Sequence, residues 1–175
     1  MRCLLALVVS ISALAVCAQT ASVAPYGSSC GPTFSCRGDP RLGQSFTLIY
    51  SGPNSYFESH GAASIDRPVL LLGASDQYLG TTPLPLLLPI SITNGQPGCF
   101  LLHSAEIVTL MPYAAPFPPT KFESQIVLPI PNEVGLLGLP FFAQWMTWHR
   151  HRLALYLPWV EWVYLSGAVR ATVGV

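Results

Sequence analysis

Charge is what this sequence has least of. Only 9% of its 175 residues are charged, against about 25% in an average globular domain, and Lys121 is the single lysine. A nucleic-acid groove draws most of its affinity from clustered Lys and Arg facing phosphates, so nucleic acid drops out of the expected partners. Clean helical periodicity is also missing, because 17 prolines and 14 glycines are spread along the chain. A proline inside a helix costs about 3 kcal/mol, which leaves room for short strands and turns rather than long helices. Nor does any apolar run reach the roughly 20 residues needed to span hydrocarbon, so no membrane span is expected in the mature chain.

The first residues carry the clearest signal. Met1-Arg2 is a short positive region, residues 4–16 form an apolar run, and Val16-Cys17-Ala18 is a small-residue exit. The pattern predicts a secretory signal peptide over residues 1–18, with Gln19 as the first mature residue. Cys17 invites comparison with a lipoprotein cysteine, but valine fits poorly at the preceding position. Without Arg2, eight acids stand against seven bases, a net charge of one negative.

Export sets the cysteine arithmetic. Cys3 and Cys17 leave with the leader, so Cys30, Cys36 and Cys99 face an oxidising compartment. Three thiols make one bridge and one leftover, in any of three pairings. A Cys30 to Cys99 bridge closes the longest loop and is favoured, at roughly 3–5 kcal/mol.

Along the chain, residues 19–43 read as an irregular entry segment and residues 44–175 as the folded domain. Within residues 44–51, Phe46, Leu48 and Tyr50 alternate with Ser45, Thr47, Ile49 and Ser51, the period of a half-buried strand. Residues 52–66 are polar and read as a loop; residues 68–73 suit a strand covered on both faces. Pro83, Pro85 and Pro89 confine residues 81–92 to an edge strand or polyproline-like segment. Asn94-Gly95-Gln96-Pro97-Gly98 is a turn delivering Cys99, residues 106–111 form a strand, and residues 113–119 a proline-rich loop. The most patterned stretch, residues 126–145, reads as a strand, a Pro131-Asn132 corner and an aromatic strand ending at Gln144-Trp145. Ser166-Gly167 reads as a turn into a last strand at residues 168–173. The expected fold is all-β: a single antiparallel β-sandwich, immunoglobulin-like or jelly-roll-like.

Candidate chemistry is sparse. Gly27-Ser28-Ser29-Cys30-Gly31 matches the Gly-x-Ser-x-Gly nucleophile pattern, but too few residues precede it for the strand and sheet that pattern needs. His149 and His151 share a side of a strand and can begin a zinc site, with His60, His103, Glu106 or Glu161 as the third ligand; on an edge strand they are simply solvated. Arg37-Gly38-Asp39 spells an adhesion tripeptide in a turn-rich region. Asp66, Asp76, Glu106 and Glu123 supply carboxylates for glycoside hydrolysis only if two converge. Trp145 reads as core, while Trp159, Trp162 and Tyr164, with Tyr156 and Trp148 nearby, are candidates for an exposed binding surface.

Leu128-Pro129-Ile130-Pro131-Asn132, then Leu136-Leu137-Gly138-Leu139 and Gln144-Trp145, resemble the C-terminal half of a group of small secreted bacterial domains of planctomycete type. Tyr26-Gly27 with Cys30, residues 40–48, residues 69–73, Pro83-Leu84-Pro85-Leu86 and Gly95-Gln96-Pro97-Gly98-Cys99 match the same group in order. The resemblance implies a β-sandwich with paired cysteines at Cys30 and Cys99 and no assigned catalytic residues. Cys36 and the long aromatic segment 148–164 depart from the pattern. The expected function is a non-catalytic structural or binding module, secreted or held at the cell surface, without a cofactor, meeting a cell-envelope glycan or surface protein; the rival is a secreted hydrolase of esterase or glycosidase type.

Overall fold

A computed structural model describes residues 19–52, 55–59, 62–112, 122–154 and 156–175. The leader expected at residues 1–18, His60, Lys121 and the loop expected at residues 113–119 lie outside the described residues. Among the described residues thirteen strands follow in order: β1 (Ser22–Tyr26), β2 (Thr33–Arg37), β3 (Ser45–Gly52), β4 (Ser55–Ser59), β5 (Ala62–Gly73), β6 (Tyr78–Leu79), β7 (Thr82–Pro83), β8 (Leu86–Leu87), β9 (Phe100–Leu101), β10 (Ile107–Leu110), β11 (Phe122–Pro129), β12 (Pro140–Arg152) and β13 (Val160–Thr172), with single 3-10 turns at Ile90–Ile92 and Val134–Leu136.

The chain is an antiparallel β-sandwich, as expected. Its large sheet runs β1-β13-β12-β5-β10 with β4 also paired to β5, and its small sheet runs β11-β3-β2. The alternation in β3 sends Phe46, Leu48 and Tyr50 into the core, all fully buried, where they meet Leu70, Ala143, Trp145, Val169 and Ala171 of the large sheet. Trp145 is the centre of this contact, edge-on to Tyr50 at 5.5 Å and to Phe34 at 6.3 Å. The Tyr50 hydroxyl and Thr147 Oγ1 bond at 2.9 Å, so the polar tip that Tyr brings into a core is satisfied, while burial pushes its pKa well above the usual phenol range.

The stretch 126–145 connects the two sheets: β11 lies in the small one and β12 in the large one. Gln144-Trp145 do not end the aromatic strand, which continues to Arg152. They sit at the point where Ser166 and Gly167 together oppose Trp145, a bulge in β13. Ser166-Gly167 is therefore mid-strand and not a turn, and the Ser166 hydroxyl accepts the Trp145 amide at 2.9 Å. A Ser-Gly pair serves a bulge for the reason it serves a turn: little side chain and a local hydrogen bond.

Period two puts Gln144 on the face opposite Trp145. There its buried amide accepts the Leu102 N–H at 3.1 Å and donates to the carbonyls of Phe100 at 2.9 Å and Ser166 at 2.8 Å. It thereby pins β9 and the segment around it onto the outer face of the large sheet. The Cys30–Cys99 disulfide ties the same segment to the start of the chain, and Leu88, Leu101 and Cys30 cover Val69, Leu71 and Leu165. This is why residues 68–73 are covered on both faces.

Two other expectations need correction. Residues 19–43 are not irregular, since β1 and β2 form an edge of each sheet; Pro25 fits β1 because an edge strand leaves one side of its backbone unpaired. Residues 52–66 are not simply a loop, because β4 and the first half of β5 pair from Ser55↔Asp66 to Ser59↔Ala62. Their polar composition reflects a part of the sheet that extends past the core.

Candidate functional site

The large sheet outgrows the small one. On β12 the core-facing side chains are Phe141, Ala143, Trp145 and Thr147; the next two on that face, His149 and His151, lie beyond the core cluster. From Thr147 to Arg152 the strand advances roughly 16 Å at about 3.3 Å per residue, with β5 and β13 paired to either side. The hairpin formed by β12 and β13 thus projects from the sandwich.

Its two faces differ. On the core-side face, Asp66, His149 and Trp162 occupy one cross-strand row. His149 Nδ1 donates to Asp66 Oδ1 at 2.5 Å, and the Trp162 ring stacks on His149 at 4.3 Å and meets His151 edge-on at 4.7 Å. A cavity of about 290 Å³ opens beside them, lined by Ala63, Ser64, His149, His151, Arg152, Leu153 and Trp162. His151 Nδ1 and Trp162 Nε1 are buried without a hydrogen-bond partner among the described residues.

On the opposite face, Arg150 lies 5.2 Å from the Trp148 ring and 4.8 Å from Trp159, and Arg152 lies 4.9 Å from Trp159. Arg150 Nε also reaches Glu161 Oε1 at 2.7 Å. Beyond both faces the hairpin end exposes Leu153 (73%), Tyr156 (87%), Leu157 and Val160.

The expected surface of Trp159, Trp162 and Tyr164 is therefore divided. Trp159 is on one face of the hairpin, Trp162 on the other, and Tyr164 is packed into the body: a Cβ at Gly31 would come 2.4 Å from the Tyr164 Cβ, and Asn94 Nδ2 donates to the Tyr164 hydroxyl at 3.4 Å. The histidine pair does share a side, with ring centres 5.8 Å apart, but on a central strand and not an edge one. None of the third ligands named from the sequence joins them. Glu161 is with Arg150 on the other face, while His103 and Glu106 belong to a separate cluster, and His60 is outside the described residues. Among the described residues no group of three His, Cys, Asp or Glu is placed to hold a metal ion. Asp66, the actual partner of His149, was hidden because residues 52–66 read as loop; extending the alternation of β5 back from Val69 places it on the right face.

The other sequence candidates are committed elsewhere. Ser29 Oγ donates toward the carbonyls of Pro32 (3.0 Å) and Leu165 (3.2 Å) and accepts the Gly31 amide, and Cys30 beside it is in the disulfide. Asp39 of the tripeptide pairs with Arg41 at 3.2 Å in the open. Asp66, Asp76 and Glu106 have different partners in different places: His149, Gln77 and Ser104; Glu123 is exposed on β11.

Glu106 sits in the wall of a second cavity, about 380 Å³ and mostly apolar, between β5, β11 and β12. Desolvation pushes its carboxyl up, but hydrogen bonds from Ser104 Oγ (2.9 Å) and the Ala74 amide (3.0 Å) outweigh this and hold it below the usual carboxylate range. Ser104 Oγ in turn accepts the amides of Ala74 and Ser75. The neighbouring His103, fully buried, donates from Nδ1 to the Ser104 carbonyl and not to the hydroxyl. Burial drives its pKa down, so the ring is neutral and Nε2 carries no proton. This cluster latches the end of β5 to the loop after β9.

Comparison with protein-family models, with curated proteins and with solved structures finds no match. No helix among the described residues is long and apolar enough to cross a membrane.

Proposed function

We propose that this chain is a non-catalytic binding or structural module that works outside the cell or at its surface, exported by the leader at residues 1–18. The observation that carries the reading is the projecting β12–β13 hairpin, whose exposed end concentrates large apolar, aromatic and cationic side chains on a chain otherwise poor in charge. Contiguous apolar exposure of this kind marks interaction sites more often than it occurs by default. A long-loop disulfide accords with an oxidising compartment, and the resemblance to secreted bacterial β-sandwich domains points the same way. No specific observation favours the hydrolase alternative, whose serine candidate, Ser29, has its hydroxyl engaged with the Pro32 and Leu165 carbonyls and the Gly31 amide.

The test is a binding screen of the chain against cell-envelope glycans, surface proteins and lipids, run beside a variant with Leu153, Tyr156 and Leu157 changed to serine. Binding that the variant loses supports the reading. Silence of the wild-type chain toward every class, or turnover of an ester or glycoside substrate, would sink it.

A further inference from the structure

We propose that the apolar cavity between the two sheets, at the β10 and β11 side of the sandwich, binds an amphipathic amine: its hydrocarbon body lies between the sheets and its ammonium group meets Glu106. The cavity touches the start of β12, at Pro140 and Phe141, whereas the projecting hairpin is made from the end of that strand. The site is therefore separate from the surface on which the binding-module reading rests, and it stands or falls without it.

Register explains why the gap is there and why it is apolar. Ile107 of β10 stands opposite Leu72 of β5, which stands opposite Ala143 of β12, and Ala143 is buried in the core. Side chains in one cross-strand row share a face, so Ile107 and Leu72 turn toward the small sheet. From that sheet Leu128, paired with the fully buried Phe46, turns back toward them, and Ile130 and Phe141 complete the lining. About 380 Å³ is left between these side chains, and Ile107 is 56% exposed, so the gap opens to solvent. A dry cavity of about 150 Å³ takes a benzene ring; this one has room for a fused bicyclic ring or a short alkyl chain. Its size and its apolar walls with one placed polar group are those of a small-ligand site.

Glu106 supplies the polar group and decides the sign of the ligand. Ser104 Oγ and the Ala74 amide both donate to its Oε2, which fixes the carboxylate and keeps it ionised. It forms no ion pair among the described residues, so a ligand cation meets a negative charge that is positioned and not yet neutralised, and a hydrogen bond between two ions is stronger than one between neutral groups. The same wall gives an anion little. Pro129 and Pro140 have no N–H, the Ala74 N–H is held by Glu106 and Ser104, and the Ile130 N–H donates to the Gln44 carbonyl at 2.8 Å. A fatty acid would bring a like charge to Glu106, and a sugar would bury hydroxyls against aliphatic side chains without partners.

The experiment is titration calorimetry of the full, disulfide-bonded chain with three ligands of one shape: 1-naphthylmethylamine, 1-naphthylmethanol and 1-naphthoate. The amine should bind, the alcohol should bind about tenfold more weakly because it loses the charge-assisted bond, and the carboxylate should not bind. Glu106→Gln should bring the amine down to the affinity of the alcohol and leave the alcohol unchanged, which shows that the cavity survives the substitution. In wild type, high salt should narrow the gap between amine and alcohol. Ile107→Ser, which removes one apolar wall at an exposed position, should weaken amine and alcohol alike by about tenfold, and Val108→Ser, equally exposed on the other face of β10, should change neither. The proposal is overturned if no ligand binds, if the alcohol or the carboxylate equals the amine, if Glu106→Gln keeps the preference for the amine or loses the alcohol as well, or if Ile107→Ser binds like wild type. Sedimentation that shows a dimer dissolved by Ile107→Ser would overturn it in favour of a second copy of the chain filling the gap.

Discussion

Replacing Gln144 by methionine separates packing from hydrogen bonding in the outer layer. Methionine keeps most of the volume and the unbranched shape, and if Gln144 only filled space the cost would stay below about 1.5 kcal/mol. Its amide, however, satisfies one N–H and two carbonyls in the interior: Leu102 N–H, Phe100 C=O and Ser166 C=O. Stranding a buried donor or acceptor costs about 1–3 kcal/mol. The Leu102 N–H loses its acceptor altogether, and the two carbonyls lose a donor each, so Gln144→Met should destabilise by about 3–4 kcal/mol. Against the 5–15 kcal/mol of a typical domain that is a large share, and at about 2–4 °C per kcal/mol for a chain this size it lowers Tm by roughly 6–16 °C. Urea unfolding followed by tryptophan fluorescence reads the change. The segment around β9 should also lose amide-exchange protection before the core does, because the lost bonds lie on the outer face. A loss under about 1 kcal/mol, with that segment's protection unchanged, would refute the reasoning and make Gln144 a spacer.

Three further outcomes follow from the structure. Replacing both Cys30 and Cys99 by serine, which removes a cross-link of sequence separation 69, should cost about 4 kcal/mol by loop entropy, measured by denaturant unfolding; no change in midpoint would mean that the unfolded chain is already confined. Gly73→Ala should destabilise by more than about 3 kcal/mol in a thermal melt, because its Cβ would fall 1.7 Å from the Ser104 carbonyl oxygen and 2.6 Å from His103 Nδ1; a neutral result would show that the loop after β9 yields freely. For His103, burial lowers the folded pKa, so the unfolded chain takes up the proton first. Stability is therefore full above the unfolded histidine value near 6.5 and falls as pH drops below it, by about 1.4 kcal/mol per pH unit for one proton. Unfolding titrations between pH 7 and 5 should show this slope in wild type and a reduced one in His103→Gln, and equal slopes would count against a neutral buried ring.

Much of the architecture was legible in one dimension because it depends on period two and on exclusions. Alternation in residues 44–51 marks the core face of β3 whatever packs on it; prolines confine residues 81–92 to the margin; the continuous apolar run at 69–72 announces a strand covered twice. Pairing of the three cysteines was narrowed by loop length and by resemblance, and the disulfide joins the favoured pair. What could not be read is whatever depends on register. Ser166-Gly167 has the composition of a turn and becomes a bulge only because a neighbouring strand continues past it. Gln144 and Trp145 are adjacent letters, yet the pleat sends one to clamp the outer layer and the other into the core.

The candidate site shows the same division. From the sequence alone came the exported-chain expectation, the shortage of charge, the sharing of one strand face by His149 and His151, and the concentration of aromatics in residues 148–164. Only the tertiary structure decided that Asp66 meets His149, that Trp159 and Trp162 turn their backs on each other, and that the hairpin carrying them runs out beyond the core. The physical reason is that a strand's own periodicity assigns side chains to faces, whereas what lies across each face is set by pairing between segments far apart in the chain, and by where the second sheet ends.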